Sequence, residues 1–266
     1  MTADPDLVSL RQPRLLAFAV AGCLAVLAAA GYASVTTAHD AAPVARVALF
    51  AGMAVAMVGL VFAWPGWRSR RVEVAVVLGL AVGLRVLLLG AAPSDDLARY
   101  RWEGGLVAQG VSPYQGTAEA PVYQEFRDDV WAQVNHRDRL TAYPPLAGLG
   151  FGGLAALGGG ECAFGVAFVA ADLAVVGVLL AVLFVRDLPL RWAEWYAFNP
   201  VVLVAFAAEA HFDVWMVAAL TATVLAADQR RWQVAALALG AAVSLKVVAL
   251  LGLPFLLRRA GWRVLP

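Results

Sequence analysis

The chain has 266 residues, of which 62% are hydrophobic and 15% charged, with 20 Lys and Arg against 19 Asp and Glu. A water-soluble domain is about half apolar and about a quarter charged, so with a mean hydropathy of +0.75 most of this surface calls for lipid as solvent. The formal charge of +1 lacks the footprint of a nucleic-acid binder, and Cys23 and Cys162 offer neither a CxxC pair nor a His at metal spacing.

A membrane-crossing helix needs roughly 20 mainly apolar residues. Leu15–Ala33 is the first such run, too long for a signal-peptide core and read as a retained helix. Val47–Trp64 and Val72–Gly90 follow, the latter carrying Arg85. Arginines precede the first run (Arg11, Arg14) and crowd the connection after the second (Arg68, Arg70, Arg71), whereas Thr36–Pro43 has no Lys or Arg. The positive-inside bias therefore predicts a cytoplasmic N-terminus and an outward-facing segment 91–145. Five more apolar segments follow: Leu146–Gly159, Ala163–Val185, Trp192–Ala208, Asp213–Ala227 and Trp232–Leu257, the last hinged near Lys246. The expected fold is an all-α, polytopic transmembrane bundle of about eight segments forming a single domain over 1–266. Strict alternation would leave Arg186, Arg191, Arg230 and Arg231 outside. A re-entrant Gly-rich stretch at 148–160 restores the bias, and the sequence leaves that parity open.

The segment 91–145 is long for a connection between spans, and long structured connections often carry function. Ser94 is a suitable N-cap, and a helix from Asp95 to about Ala108 places Asp96, Arg99 and Glu103 on one face. Leu97, Tyr100 and Val107 form an adjoining apolar stripe, with Trp102 on the far side; such a helix is expected to lie along the membrane surface. Gly110 and Pro113 end it. Farther on come Asn135-His136-Arg137-Asp138-Arg139, most simply a solvated charged run, and Tyr143-Pro144-Pro145, a stiff turn into the next segment.

Polar groups at membrane depth are costly and point to function. Glu209, His211 and Asp213 interrupt two apolar segments, and Asn199-Pro200 breaks the one before. Lys246, the only lysine, stands in an apolar run; it either snorkels or meets a phosphate or carboxylate. Arg85 and Asp172 suit interhelical hydrogen bonding.

Four motifs then carry a resemblance. Ser94-Asp95-Asp96…Arg99-Tyr100-Arg101-Trp102-Glu103-Gly104 with Gly110-Val111-Ser112-Pro113-Tyr114 resembles the first outward-loop motif of bacterial GT-C glycosyltransferases of the polyprenyl-phosphate-mannose-dependent type, related to the GPI-anchor mannosyltransferases. Tyr143-Pro144-Pro145-Leu146 is similar to their approach to the following helix, Phe198-Asn199-Pro200…Ala210-His211-Phe212-Asp213 to their Asn-Pro…Gly-His-Asn-Asp stretch, and Leu245-Lys246…Leu253-Pro254 to their Leu-Lys…Leu-Pro. Three positions depart: Glu103 where Asp is usual, and Ala210 and Phe212, which make Ala-His-Phe-Asp in place of Gly-His-Asn-Asp. Such enzymes run longer than Pro266. The resemblance thus covers their N-terminal helical module, and the chain is expected to be a fragment or to be completed by a second membrane subunit.

The resemblance implies an integral inner-membrane hexosyltransferase. It would move a sugar, with inversion, from a polyprenyl-phosphate donor to a glycan or lipid hydroxyl on the outer face. Asp96 is the implied base, with Asp95 the alternative, or else a residue that orients the base or holds a divalent cation. Arg99, Arg101, His211 and Lys246 are the implied cations for the leaving phosphate. Glu103 either orients the sugar or pairs with Arg99 at i, i+4, Tyr143 either stacks on the sugar or anchors at the membrane interface, and Asp213 belongs to the same substrate site. The absence of a GK[ST] phosphate loop fits a lipid-linked donor. Two other classes compete. A lipid-linked sugar flippase should show paired repeats, and the Ser-Asp-Asp stretch has no second copy; a non-catalytic subunit of a larger transferase would follow from the short length.

Overall fold

Lipid offers no hydrogen-bond partner, so a long apolar segment satisfies its backbone within itself and folds as a helix. The computed structural model describes residues 5–37, 43–67 and 69–261, with side chains from Gln12 onward. Arg68, Arg263 and the connection 38–42 lie outside the described residues, as does the Arg11 side chain. In chain order the helices are α1 Pro5–Thr37, α2 Pro43–Phe62, α3 Arg70–Leu88, α4 Asp96–Ala108, α5 Pro145–Ala156, α6 Glu161–Val185, α7 Glu194–Ala197, α8 Pro200–Leu203, α9 Asp213–Asp228, α10 Trp232–Leu245 and α11 Leu253–Ala260. No strand occurs among the described residues. Three helical stretches are long and apolar enough to cross a membrane: Gln12–Thr37, Pro43–Phe62 and Glu161–Val185. At 1.5 Å per residue α5 is only about 18 Å long, short of a roughly 30 Å hydrocarbon core.

The helices assemble into two compact units. The first comprises residues 1–92 and 173–209. Here α1 and α2 pack through small residues: Ala25, Ala28 and Ala29 are buried, and a Cβ on Gly59 would stand 2.9 Å from that of Ala21. Small side chains let backbones approach, which is how helices gain contact where lipid removes the hydrophobic drive. Arg85 of α3 is fully buried and donates through Nη1 to the carbonyls of Ala81 (3.1 Å) and Ala197 (2.9 Å), the interhelical role expected of it. Asn199 caps α8 by accepting the Val201 N–H (2.9 Å), so Asn199-Pro200 does break this segment. A π-helical turn, Val204–Ala208, follows.

The second unit comprises residues 93–172 and 210–266. In it α4 packs along α5, and α9 pairs with α10 over Ala226, Ala227, Ala235 and Leu239, with Leu256 and Ala260 of α11. The α4–α5 approach is closer than any side chain permits: a Cβ on Gly104 would lie 2.6 Å from the Phe151 carbonyl oxygen. Because backbone cannot step aside as a rotamer can, Gly104→Ala is expected to destabilise this unit by about 1–3 kcal/mol. Gly105→Ala, whose added methyl meets nothing within 4 Å, serves as the tolerated control. Thermal unfolding of the two variants in detergent checks this; equal midpoints would contradict the packing.

Three expectations for this unit need correction. The residue flanking α4 is Asp95, without a side-chain cap, while the Ser94 hydroxyl is buried without a hydrogen-bond partner among the described residues; the Ser94 carbonyl, not its side chain, accepts the Leu97 N–H (3.1 Å). Trp102 does not project away. It is buried against Tyr123 at 5.6 Å between ring centroids, and its indole N–H donates to the Phe126 carbonyl (2.9 Å). Helix α4 is consequently enclosed by protein on most of its circumference, with Leu97, Arg99, Tyr100, Trp102, Glu103, Gly104 and Leu106 all buried, rather than lying open along a surface. Its end matches expectation: the helix stops at Ala108 and Gly110 turns the backbone at φ +77°.

Candidate active site

The polar face of α4 meets the segment 135–141. Asn135 donates through Nδ2 to Asp96 Oδ1 at 2.8 Å. Arg99 donates through Nε to Glu103 Oε1 (2.9 Å) and through its two terminal nitrogens to the carbonyls of Asn135 (3.2 Å), His136 (3.2 Å) and Arg139 (2.8 Å). Thr141 donates to the other Glu103 oxygen at 2.7 Å. The i, i+3, i+7 spacing thus places Asp96, Arg99 and Glu103 together, as expected. Arg99 and Glu103 are 5% and 2% exposed, so their visible work is to staple 135–141 onto α4. Burial pushes the Glu103 carboxyl above its ordinary range, opposed by Arg99 and Thr141.

Asp96 differs from that pair in being open. Its side chain is 34% exposed and that of His211 27%, with Asp96 Oδ2 3.8 Å from His211 Nδ1. Tyr100 Oη lies 3.4 Å from the same nitrogen. Burial, then the charges of Tyr143, Asp96 and Asp213, push the Tyr100 hydroxyl far above its ordinary range, which keeps it neutral. One oxygen of Asp96 is fixed by Asn135 while the other faces the imidazole. Asp95 is exposed and has no such support. Among the described residues no group of three or more His, Cys, Asp or Glu side chains is placed to hold a metal ion.

An aromatic floor lies under this cluster. Tyr100 stacks on Phe151 at 4.7 Å, and Tyr143 and Phe212 meet Tyr100 edge-on at 5.1 and 5.4 Å. Tyr143 is half-buried and also touches Phe151 and Phe212; burial pushes its hydroxyl up as well. Phe212, where the resembled pattern has Asn, is buried in this floor. Ala210, where that pattern has Gly, adopts φ +55°, the left-handed backbone that glycine occupies without strain.

Lys246 follows the end of α10 in extended backbone at φ −153°, so the helix breaks there as expected. It meets a carboxylate, one of the alternatives that the sequence left open. Its side chain is 46% exposed, its ammonium pairs with Asp213, and it stands 5.8 Å from the centre of the Phe212 ring. Asp96, Tyr143, His211, Asp213 and Lys246 therefore gather around one aromatic floor. Arg101 does not join them; it donates to Glu161 Oε1 at 2.8 Å. Sequence reasoning missed Asn135 and Tyr100 as site residues. Nothing in a charged run marks which member will reach a carboxylate 39 positions earlier.

Neither the curated proteins nor the solved structures include a match to this chain. Among protein-family models, that of the alpha-(1->6)-mannopyranosyltransferase N-terminal domain, the MptA_B family, matches residues 15–260. With nearly its whole length matched, the chain belongs to this mannosyltransferase family.

Proposed function

We propose that this is the N-terminal module of a GT-C mannosyltransferase that draws mannose from a polyprenyl-phosphate donor at the outer face of the membrane. The observation that carries the reading is Asp96: a carboxylate anchored on one oxygen by Asn135, open on the other, and gathered with Lys246 around one floor. In the reaction an acceptor hydroxyl oxygen attacks the anomeric carbon. The bond from that carbon to the phosphate oxygen breaks with its electrons passing to the phosphate, and the hydroxyl proton goes to Asp96. An α-linked product formed with inversion requires a β-linked donor. Lys246 faces the charge developing on the leaving phosphate, where a fixed cation stabilises the transition state, and Asp213 holds that ammonium in place. His211 and Tyr100 line the base and exclude water from its inner side.

Outward placement has support in the first unit. Arg70 at the start of α3 pairs with Asp187 just past α6 (3.2 Å), so α3 and α6 run antiparallel. If both cross, the chain between them begins and ends on one side. That suits a re-entrant α5 and puts Arg186 and Arg191 with the cytoplasmic arginines.

The test is transfer from polyprenyl-phosphate mannose labelled in the sugar, with the full-length protein in liposomes. A radiolabelled α-(1→6) product is expected from the lipid donor, and a nucleotide-sugar donor should give none; the reverse preference would overturn the reading. Lys246→Met removes one charge-assisted contact, worth about 1.5–3 kcal/mol, so the donor KM should rise at least about tenfold. An unchanged donor KM would reduce Lys246 to a partner for Asp213.

A further inference from the structure

The first unit holds a groove that the sugar-transfer reading does not use. It lies between α3 and the last turns of α6, has a volume of about 350 Å³, and is lined by Val74, Leu78, Gly177, Leu180 and Phe184, with Arg71 among the lining residues. Gly177 keeps it open: a Cβ there would meet nothing within 4 Å. The two arginines at the start of α3 do different things. Arg70 is committed, paired with Asp187 and donating to the carbonyls of Leu183 and Leu188 (both 2.9 Å), so it ties the helices together beside the groove. Arg71 is exposed and makes no ion pair among the described residues.

We propose that this groove holds one acyl tail of an anionic phospholipid, with the lipid phosphate seated on Arg71. A gap between membrane helices that is lined by apolar side chains loses dispersion contacts unless hydrocarbon fills it. An exposed arginine at its end, without an ion pair among the described residues, selects headgroups carrying net negative charge, and basic pockets between transmembrane helices are known sites for such lipids. The volume suits a single unbranched tail. A polyprenyl tail is several times longer and carries a methyl branch on every isoprene unit, so the donor lipid fits poorly. The lipid would brace α3 against α6 at the end that Arg70 already clamps. This site stands on the first unit alone and does not depend on the assignment of Asp96.

The experiment places the full-length protein in nanodiscs of equal phosphatidylcholine and phosphatidylglycerol and identifies retained lipid by native mass spectrometry. One phosphatidylglycerol per protein is expected to survive extraction. Arg71→Ala should lower the preference for phosphatidylglycerol about fivefold, the factor given by roughly 1 kcal/mol per interfacial arginine, and Arg71→Lys should keep most of it. Gly177→Phe, which fills the groove without meeting a neighbour within 4 Å at its Cβ, should abolish retention of both lipids while α3 and α6 stay helical by circular dichroism. Equal retention of the two lipids by the natural protein overturns the proposal, as does retention unchanged in Gly177→Phe. Stoichiometric displacement by polyprenyl phosphate, or a protein dimer lost in Gly177→Phe with no lipid bound, also overturns it, because the occupant would then be the donor or a second copy.

Discussion

Asp96→Asn lowers the rate of mannosyl transfer by a factor of about 10²–10⁴, the range that a positioned base contributes, and leaves the donor KM near its natural value. The substitution is nearly isosteric. The amide oxygen it leaves can still accept from Asn135, which lies 2.8 Å from Asp96 Oδ1, so the turn at 135–139 and the packing of α4 keep their geometry. What is lost is the basicity of the open oxygen beside His211. Asp95→Asn is the matched control: the same chemistry one residue away, on an exposed side chain without a fixed partner, should keep turnover within a few-fold. Both are read as initial rates with sugar-labelled donor in liposomes, at equal amounts of inserted protein. If Asp96→Asn retains more than about a tenth of the natural rate, or if Asp95→Asn is the dead variant, the base lies elsewhere.

The two aspartates also show where sequence reading reaches its end. Helical spacing alone put Asp96, Arg99 and Glu103 on one face, and a lone lysine in an apolar run marked the break after α10, because both are local consequences of the backbone repeat. The separation of Asp96 from Asp95 is not local. It depends on Asn135, delivered by a turn whose path is set by three carbonyl contacts to Arg99. Trp102 was misjudged for a related reason. A helical wheel assumes one buried side, whereas the turns at Pro121–Phe126 and Trp131–Gln133 return over α4 and bury Trp102 against Tyr123. Phe212 read as a departure from an Asn-bearing pattern, and its reason emerges only from the four-ring floor of Tyr100, Tyr143, Phe151 and Phe212. Arg101 is equivalent to Arg99 in composition, yet two positions along the helix, roughly half a turn, send it to Glu161.

That division of labour makes Arg99 the residue whose loss should cost the fold most. Arg99→Met strips four hydrogen bonds from the staple and leaves the Glu103 carboxylate 2% exposed with only Thr141 to solvate it. Breaking a buried pair from one side costs about 3–5 kcal/mol, whereas replacing both partners with apolar groups is often close to neutral. Arg99→Met/Glu103→Leu is therefore expected to be more stable than Arg99→Met alone, and the gap between them measures the stranded charge rather than the staple. The pH dependence follows from the same carboxyl. Burial already raises Glu103 above its ordinary value of 4.5, and removing Arg99 takes away the principal group opposing that rise. A carboxyl whose folded-state pKa is raised contributes stability below its unfolded value and loses it as pH climbs through the folded one. Arg99→Met should consequently be least impaired below about pH 4.5 and lose stability progressively toward neutrality, a slope the double variant lacks. Urea or thermal unfolding of the three proteins across that range reads both effects. A flat pH response in Arg99→Met, or a double variant no better than the single, would mean that Glu103 is solvated from a direction the staple does not close. Mannosyl transfer supplies the independent readout: with the carbonyls of 135–139 released, Asn135 no longer holds Asp96, so the double variant should recover stability without recovering turnover.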